Sequence, residues 1–100
     1  MIVDRRTYSI KLGHQAQAVQ LLQAEMSALA ENDAAPPYRI CLSHTGRFGQ
    51  LAVEWEFDSP AERETFWEGW RPKTPNFIEQ WYGFNQDDIQ IQVWELVERG

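Results

Sequence analysis

Residues 50–70 constrain the fold more than any other part of the chain. Large apolar residues alternate with small or acidic ones over residues 51–57, which is the two-residue period of a strand with one buried face. The residues that follow fit the start of a helix. Ser59 is a favoured N-cap, Pro60 suits the first helical position, and Glu62 can return a hydrogen bond to the N-cap amide. This segment therefore predicts a strand that leads directly into a capped helix.

The same two patterns recur along the rest of the chain. Loose alternation of polar and apolar residues predicts a first strand over residues 2–12. Apolar residues at three- and four-residue steps predict a helix over residues 14–31. Alternation returns over residues 38–44 and 89–97, which predicts two further strands, and residues 74–82 are typical of a short helical turn.

Two runs of turn-forming residues separate these elements. Residues 32–37 end in two prolines, which cannot continue the first helix. Residues 45–49 contain two glycines and predict a hairpin turn between the second and third strands. The predicted order is therefore β-α-β-β-α-β, the ferredoxin-like arrangement of an α+β fold.

This order predicts one domain over residues 1–100, with a four-stranded antiparallel sheet and both helices on one face. The first and third strands lie in the centre, and the other face is bare. We expect that face to carry Trp55 or Trp94, aliphatic residues and unpaired carboxylates. Because an uncovered face of this kind favours association, we predict a homodimer in which two sheets pack together as a dimeric α+β barrel.

Charge excludes two classes of partner. Nine basic residues against fifteen acidic ones leave a net charge of −6. Binding to the phosphate backbone of nucleic acid requires a basic face, and anionic membranes attract basic segments. We therefore expect neither a nucleic-acid partner nor a membrane partner.

The single cysteine, Cys41, rules out an intramolecular disulfide and a zinc site built on cysteines. Its position on a strand predicts a buried, inert thiol. The first residues carry charge where a signal peptide would be apolar, and no apolar run approaches the roughly 20 residues of a membrane span. We predict a cytoplasmic location on these grounds.

Arg6 and Tyr8 share one face of the first strand and are candidates for catalysis. A guanidinium and a phenol side by side can hold a carboxylate or an enolate oxygen. The alternative is structural: Arg6 pairs with Asp4 or Glu54 and so satisfies the interior, since a buried arginine in a sheet is usually paired.

Glu54 and Glu56 share one face of the third strand. If this face were enclosed, burial and mutual repulsion would raise at least one pKa and make Glu54 a candidate general base. The alternative, which we favour, is ion pairing with Arg5, Arg6 or Arg39, or simple exposure.

His44, near the end of the second strand, is a candidate proton shuttle or haem ligand, although an exposed turn histidine is the more common role. No second ligand stands at metal-binding spacing, so no metal site is predicted. The chain also lacks a glycine-rich phosphate loop and a dinucleotide fingerprint, and we predict no cofactor.

An aromatic pocket could be walled by Trp55, Trp67, Trp70, Trp81 and Tyr82, and the first three of these are the candidates for ligand binding. Trp67 and Trp70 lie on one side of the second helix, and Trp55 lies on the strand before it. Aromatic residues at helical spacing usually pack into a core. There are more aromatic residues between this helix and the sheet than a core needs, and a flat apolar ligand would bind among them.

Two blocks of the sequence resemble the NIPSNAP family. Residues 2–8, with the Lys11-Leu12-Gly13 run that follows, are similar to the family's first strand, in which arginine, threonine and tyrosine precede a lysine-proline-glycine turn. Residues 54–63 resemble its strand-to-helix segment. Leu12 stands where the family has proline, which changes only a loop.

The resemblance implies a dimeric α+β barrel with a cavity between sheet and helices. Proteins with this barrel include monooxygenases, isomerases and cyclases, so the fold alone does not assign a reaction. Two functions remain open: a protein that binds a small apolar or aromatic molecule, and acts on it without a cofactor, or a non-catalytic homodimeric interaction or stress-associated module.

Overall fold

The computed structural model describes residues 1–31, 35–46, 49–86 and 89–100. Within these ranges the chain forms four strands and three helices. The strands are β1 Ile2–Ser9, β2 Tyr38–Leu42, β3 Gln50–Phe57 and β4 Gln90–Glu95. The helices are α1 Gln15–Glu31, α2 Pro60–Gly69 and α3 Phe77–Phe84.

The strands form one antiparallel sheet in the order β2-β3-β1-β4. The first and third strands are central, as predicted, and the ferredoxin-like α+β fold is confirmed. The register places Asp4 opposite Trp55 and Arg6 opposite Val53. Since residues directly opposite each other in an antiparallel pair share a face, Asp4, Arg6 and Tyr8 project to the same side as Trp55.

Helix α2 begins as the sequence predicts. Ser59 is the N-cap, and its Oγ accepts a hydrogen bond from the amide of Glu62 at 3.2 Å. The Glu62 carboxylate accepts a hydrogen bond from the amide of Asp58 at 3.0 Å, one residue before the predicted donor, the N-cap amide. The reciprocal bonds fix the direction in which the chain leaves β3.

The predicted apolar stripe of α1 packs against the sheet through Leu22, Met26 and Leu29. The same stripe contains Glu25, whose side chain is fully buried. Its carboxylate accepts from the amides of Lys73, at 2.9 and 3.0 Å, and Thr74, at 2.8 Å. Glu25 therefore ties α1 to the segment that joins α2 and α3.

The face of the sheet without helices differs from its predicted composition. Trp55 faces the helices, and Trp94 is the tryptophan on the open face. The exposed aliphatic residues of β4, Ile91 and Val93, project from the helix-covered face, because they pair with Arg6 and Asp4. Cys41 is exposed, so the prediction of a buried thiol is wrong; it lies on an edge strand and points to the uncovered side.

Several predicted boundaries shift. The second strand ends at Leu42, before His44, and the predicted helical turn is a full helix that begins after Asn76. The hairpin residues 47–48 and the helix-stop residues 32–34 lie outside the described residues. Among the helices that the structure describes, none is long and apolar enough to cross a lipid bilayer.

Candidate functional site

A cavity of about 120 Å³ lies between the helix-covered face of the sheet and the helices. From the sheet side it is lined by Arg6, Tyr8, Trp55 and Ile89. From the helix side it is lined by Leu22, Met26, Trp67, Trp70, Phe77, Ile78, Trp81 and Tyr82. Ile78 and Tyr82 are largely exposed, so the cavity opens to solvent beside α3.

Aromatic rings in mutual contact form most of the wall. The Trp55 and Trp67 rings meet edge to face with centroids 5.0 Å apart, and Trp70 lies 6.0 Å beyond Trp67. On the other side Phe77 and Trp81 stack at 6.0 Å. Because each ring is held by its neighbours, the cavity is a preformed, mainly apolar site of the kind that takes flat molecules.

The buried carboxylate of Asp4 organises the polar end of this cavity. Asp4 has no exposed surface. It accepts from Arg6 Nε at 3.2 Å, from Arg63 Nε at 2.7 Å and from Trp67 Nε1 at 3.1 Å. The Arg6 guanidinium carbon also lies 3.8 Å from the centroid of the Trp67 ring. The ion pair with Asp4 and the contact with the Trp67 ring together hold the Arg6 guanidinium in one position beside the cavity.

Tyr8 is buried, and its ring meets the ring of Trp81 edge to face at 4.8 Å. Burial raises the pKa of the Tyr8 phenol to about 12, although the positive charge of Arg6 acts in the opposite direction. The phenol therefore keeps its proton at neutral pH and carries an O–H group that is able to donate a hydrogen bond.

The Tyr8 pKa predicts a loss of stability in alkali. The ordinary pKa is 10.0 and the folded value is about 12, so an unfolded chain releases this proton first as the pH rises. Tyr8 should therefore reduce the free energy of unfolding by about 2–3 kcal/mol between pH 10 and 12. Urea unfolding of wild type and Tyr8→Phe at increasing pH measures this: the variant should lose less stability. An identical alkaline loss in both proteins would contradict the assignment.

Glu54 lies outside the cavity, on the open face of the sheet. Its two oxygens accept from Arg5 Nε, at 2.6 Å, and from Arg39. Burial alone would raise the pKa of the Glu54 carboxyl, but the hydrogen bonds from Arg5 and Arg39 outweigh burial and hold the pKa below its ordinary value. Glu54 is thus an ionised member of an ion-paired cluster, and the raised pKa considered for a general base is not found.

Two other predicted polar residues also lie apart from the cavity. Glu56 accepts from Arg99 at 2.7 Å on the open face. His44 is exposed beyond the end of β2. The structure therefore brings together Arg6, Tyr8 and the three predicted tryptophans, and separates them from Glu54 and His44.

The sequence names Asp4 only as one alternative partner of Arg6, and the structure shows this pair at the polar end of the cavity. Asp4 and Arg6 both break the apolar pattern of β1 on the face that also carries Tyr8. Two opposite charges at alternate positions of an otherwise apolar face indicate a buried pair, and this was the available signal. Trp81, which the sequence already places in a possible aromatic pocket, contacts the ring of Tyr8. Phe77, which stacks on Trp81, is a member of the wall that sequence reasoning missed.

The sequence profile of the NIPSNAP family matches residues 3–96 of the chain. A comparison with curated proteins finds no match.

Solved structures share the fold over nearly the whole chain. An uncharacterised NIPSNAP domain protein from Burkholderia xenovorans has a TM-score of 0.79 and 18% identity, covering 97% of this chain and 95% of its own. A NIPSNAP family protein from Agrobacterium tumefaciens C58 has a TM-score of 0.67 and 18% identity, covering 94% and 90%. A proposed antibiotic biosynthesis monooxygenase from Deinococcus radiodurans has a TM-score of 0.70 and 20% identity, covering 99% and 95%. At these identities the likeness establishes the fold and leaves the reaction open.

Proposed function

The chain belongs to the NIPSNAP family, and we propose that it acts by binding a small, flat, mainly apolar molecule in the cavity between sheet and helices. The observation that carries this proposal is the preformed aromatic wall with Arg6 and Tyr8 at its sheet side. Aromatic side chains that only filled a core would leave no space lined by a guanidinium and a phenol.

The polar side chains that line the cavity are suited to stabilise negative charge on a substrate oxygen, and less suited to remove a proton from a substrate carbon. Oxygenation, isomerisation and cyclisation without a cofactor build negative charge on such an oxygen. Arg6 and Tyr8 are the donors for it. Neither a carboxylate nor an imidazole lines the cavity among the residues that the structure describes. Binding is therefore the function that the geometry supports best, with turnover as a second property to be measured.

Binding can be tested with naphthalene-2-carboxamide, a neutral bicyclic probe. It should quench tryptophan fluorescence with a saturable dependence on concentration. Trp70→Ala removes one wall of the cavity and should weaken binding about tenfold or more, since one aromatic contact contributes on the order of 1 kcal/mol beyond the area it buries. Trp94→Ala is the matched control, because Trp94 lies on the opposite face. Absence of saturable binding, or equal losses in both variants, would contradict the proposal.

We also infer that the open face of the sheet pairs with a second copy of the chain. Trp94 is 52% exposed there, with the Arg5 guanidinium 5.9 Å from its ring. The carboxylates of this face are already ion-paired within the chain, Glu54 with Arg5 and Arg39, and Glu56 with Arg99. A surface of paired charges around an exposed tryptophan favours a self-complementary interface. We place this dimer in the cytoplasm, where a free thiol such as Cys41 stays reduced.

Trp94→Glu should convert this dimer to a monomer, because it replaces the large apolar ring of the proposed interface by a charged side chain that would lose its hydration there. Light scattering coupled to gel filtration measures the change. Val97→Glu is the control: Val97 is 92% exposed and lies beyond β4. A monomeric wild type, or a Trp94→Glu variant that remains dimeric, would contradict the dimer. A dimer that binds no probe favours the interaction module.

A further inference from the structure

We propose that the ligand of this cavity is an aromatic monoanion, whose charged oxygen lies beside Arg6 and accepts a hydrogen bond from Trp55 Nε1. This inference rests on the proposed function, because it names the class of molecule that the cavity takes. Two independent observations support it: a buried donor without an acceptor, and a positive charge in excess at one wall.

The first observation is the indole N–H of Trp55. Trp55 is only 4% exposed and lines the cavity. Its Nε1 is buried and has no hydrogen-bond partner among the residues that the structure describes. Trp67 provides the contrast within the same cavity wall, since its Nε1 donates to Asp4 at 3.1 Å. Buried polar groups in folded proteins are nearly always paired, so an unpaired donor beside a cavity indicates an acceptor that arrives with a ligand.

The second observation is the charge balance around Asp4. This one carboxylate is paired with two guanidinium groups, Arg6 at 3.2 Å and Arg63 at 2.7 Å. Within the described part of the chain, one positive charge is therefore left in excess at this group. Arg6 is the one charged side chain among the described residues that line the cavity. Asp4 occupies its Nε, and no other described residue accepts from Arg6, so its terminal nitrogens are available to a second anion.

Shape and charge together define the ligand class. The walls are aromatic and apolar, which suits a ligand with a single aromatic ring or two fused rings. A single excess positive charge is matched by one negative charge, whereas a cation would be repelled and a second negative charge would be buried without a partner. A carboxylate or an ionised enol on an aromatic ring meets these conditions.

Naphthalene-2-carboxylate and naphthalene-2-carboxamide test the inference, because they have the same ring system and nearly the same shape but differ in charge. Calorimetry at neutral pH gives the two affinities. The carboxylate should bind about tenfold or more tightly than the amide, as expected for a hydrogen bond between charged groups. Raising the salt concentration should reduce this preference only slightly, because the ion pair is shielded from solvent.

Arg6→Gln should abolish the preference for the carboxylate while the amide continues to bind, which also shows that the variant is folded. Arg5→Gln is the matched control: Arg5 is the neighbouring residue on the same strand, but it faces the open side of the sheet. Trp55→Phe keeps a ring and removes the donor, so it should weaken both probes severalfold, because the amide oxygen is also an acceptor. Trp94→Phe should change neither affinity.

The outcomes separate this inference from the proposed function. If neither probe binds, the proposed function fails and the inference fails with it. If both probes bind equally well, the cavity binds aromatic molecules but the assignment of a monoanion is wrong. If the carboxylate is preferred and Arg5→Gln, but not Arg6→Gln, removes the preference, the anion binds on the open face.

Discussion

Asp4→Asn is expected to lower the free energy of unfolding by about 3 kcal/mol, a magnitude typical of breaking a buried ion pair. The substitution removes the one negative charge that pairs with Arg6 and Arg63, whose side chains are both mostly buried. It also replaces one acceptor oxygen by a donor facing other donors. For a domain of this size the melting temperature should fall by about 10–20 °C.

The control for this experiment is Asp58→Asn, the same chemical change at an exposed position before α2. It should change stability by less than about 0.5 kcal/mol. Urea unfolding monitored by circular dichroism gives both values. Similar losses in the two variants would contradict the central role of Asp4. A stable Asp4→Asn protein would show that Arg6 and Arg63 find other partners.

Glu25→Ala is expected to cost about 3 kcal/mol, because it removes the acceptor of the amides of Lys73 and Thr74 and creates a space beneath α1, where the Glu25 side chain is fully buried. Residues 70–76 should then lose their fixed attachment to α1. Since Phe77 and Trp81 follow this segment and line the cavity, binding of naphthalene-2-carboxamide should weaken as well.

Two variants make the Glu25 result specific. Glu25→Gln keeps one acceptor oxygen and should lose clearly less stability than Glu25→Ala. Glu31→Ala removes an exposed glutamate at the end of the same helix and should be close to neutral. Unfolding in urea measures stability, and fluorescence quenching measures binding. If Glu25→Ala were as stable as Glu31→Ala, the carboxylate would not anchor the α2–α3 segment.

The fold could be predicted because its signals are local. Alternation over residues 51–57 and the Ser59 cap depend only on neighbouring residues, and both are found in the structure. Turn-forming residues then set the order of elements, and the order limits the topology. The same local signals place Trp67 and Trp70 on one side of the second helix, and both pack against the core.

Which residues form the site could be predicted only in part, because this depends on the register in which the strands pair. A strand has two faces, and the period of two does not say which strand residues meet across the sheet. Glu54 was a candidate alongside Arg6, but Arg6 pairs with Val53, which places Glu54 on the opposite face. Glu25 interrupts an apolar stripe, and its partners come from a segment about 48 residues later.

The most direct measurement of the central claim is the response of the five indole N–H signals to naphthalene-2-carboxylate in a ¹H–¹⁵N correlation spectrum. Trp55, Trp67, Trp70 and Trp81 line the cavity, and Trp94 lies on the other face of the sheet as an internal control. Binding in the cavity should shift these four signals, with the Trp55 signal moving downfield as its N–H gains an acceptor, and leave the Trp94 signal in place. Four unchanged signals at saturating probe, or a shift confined to Trp94, would show that the cavity is not the binding site.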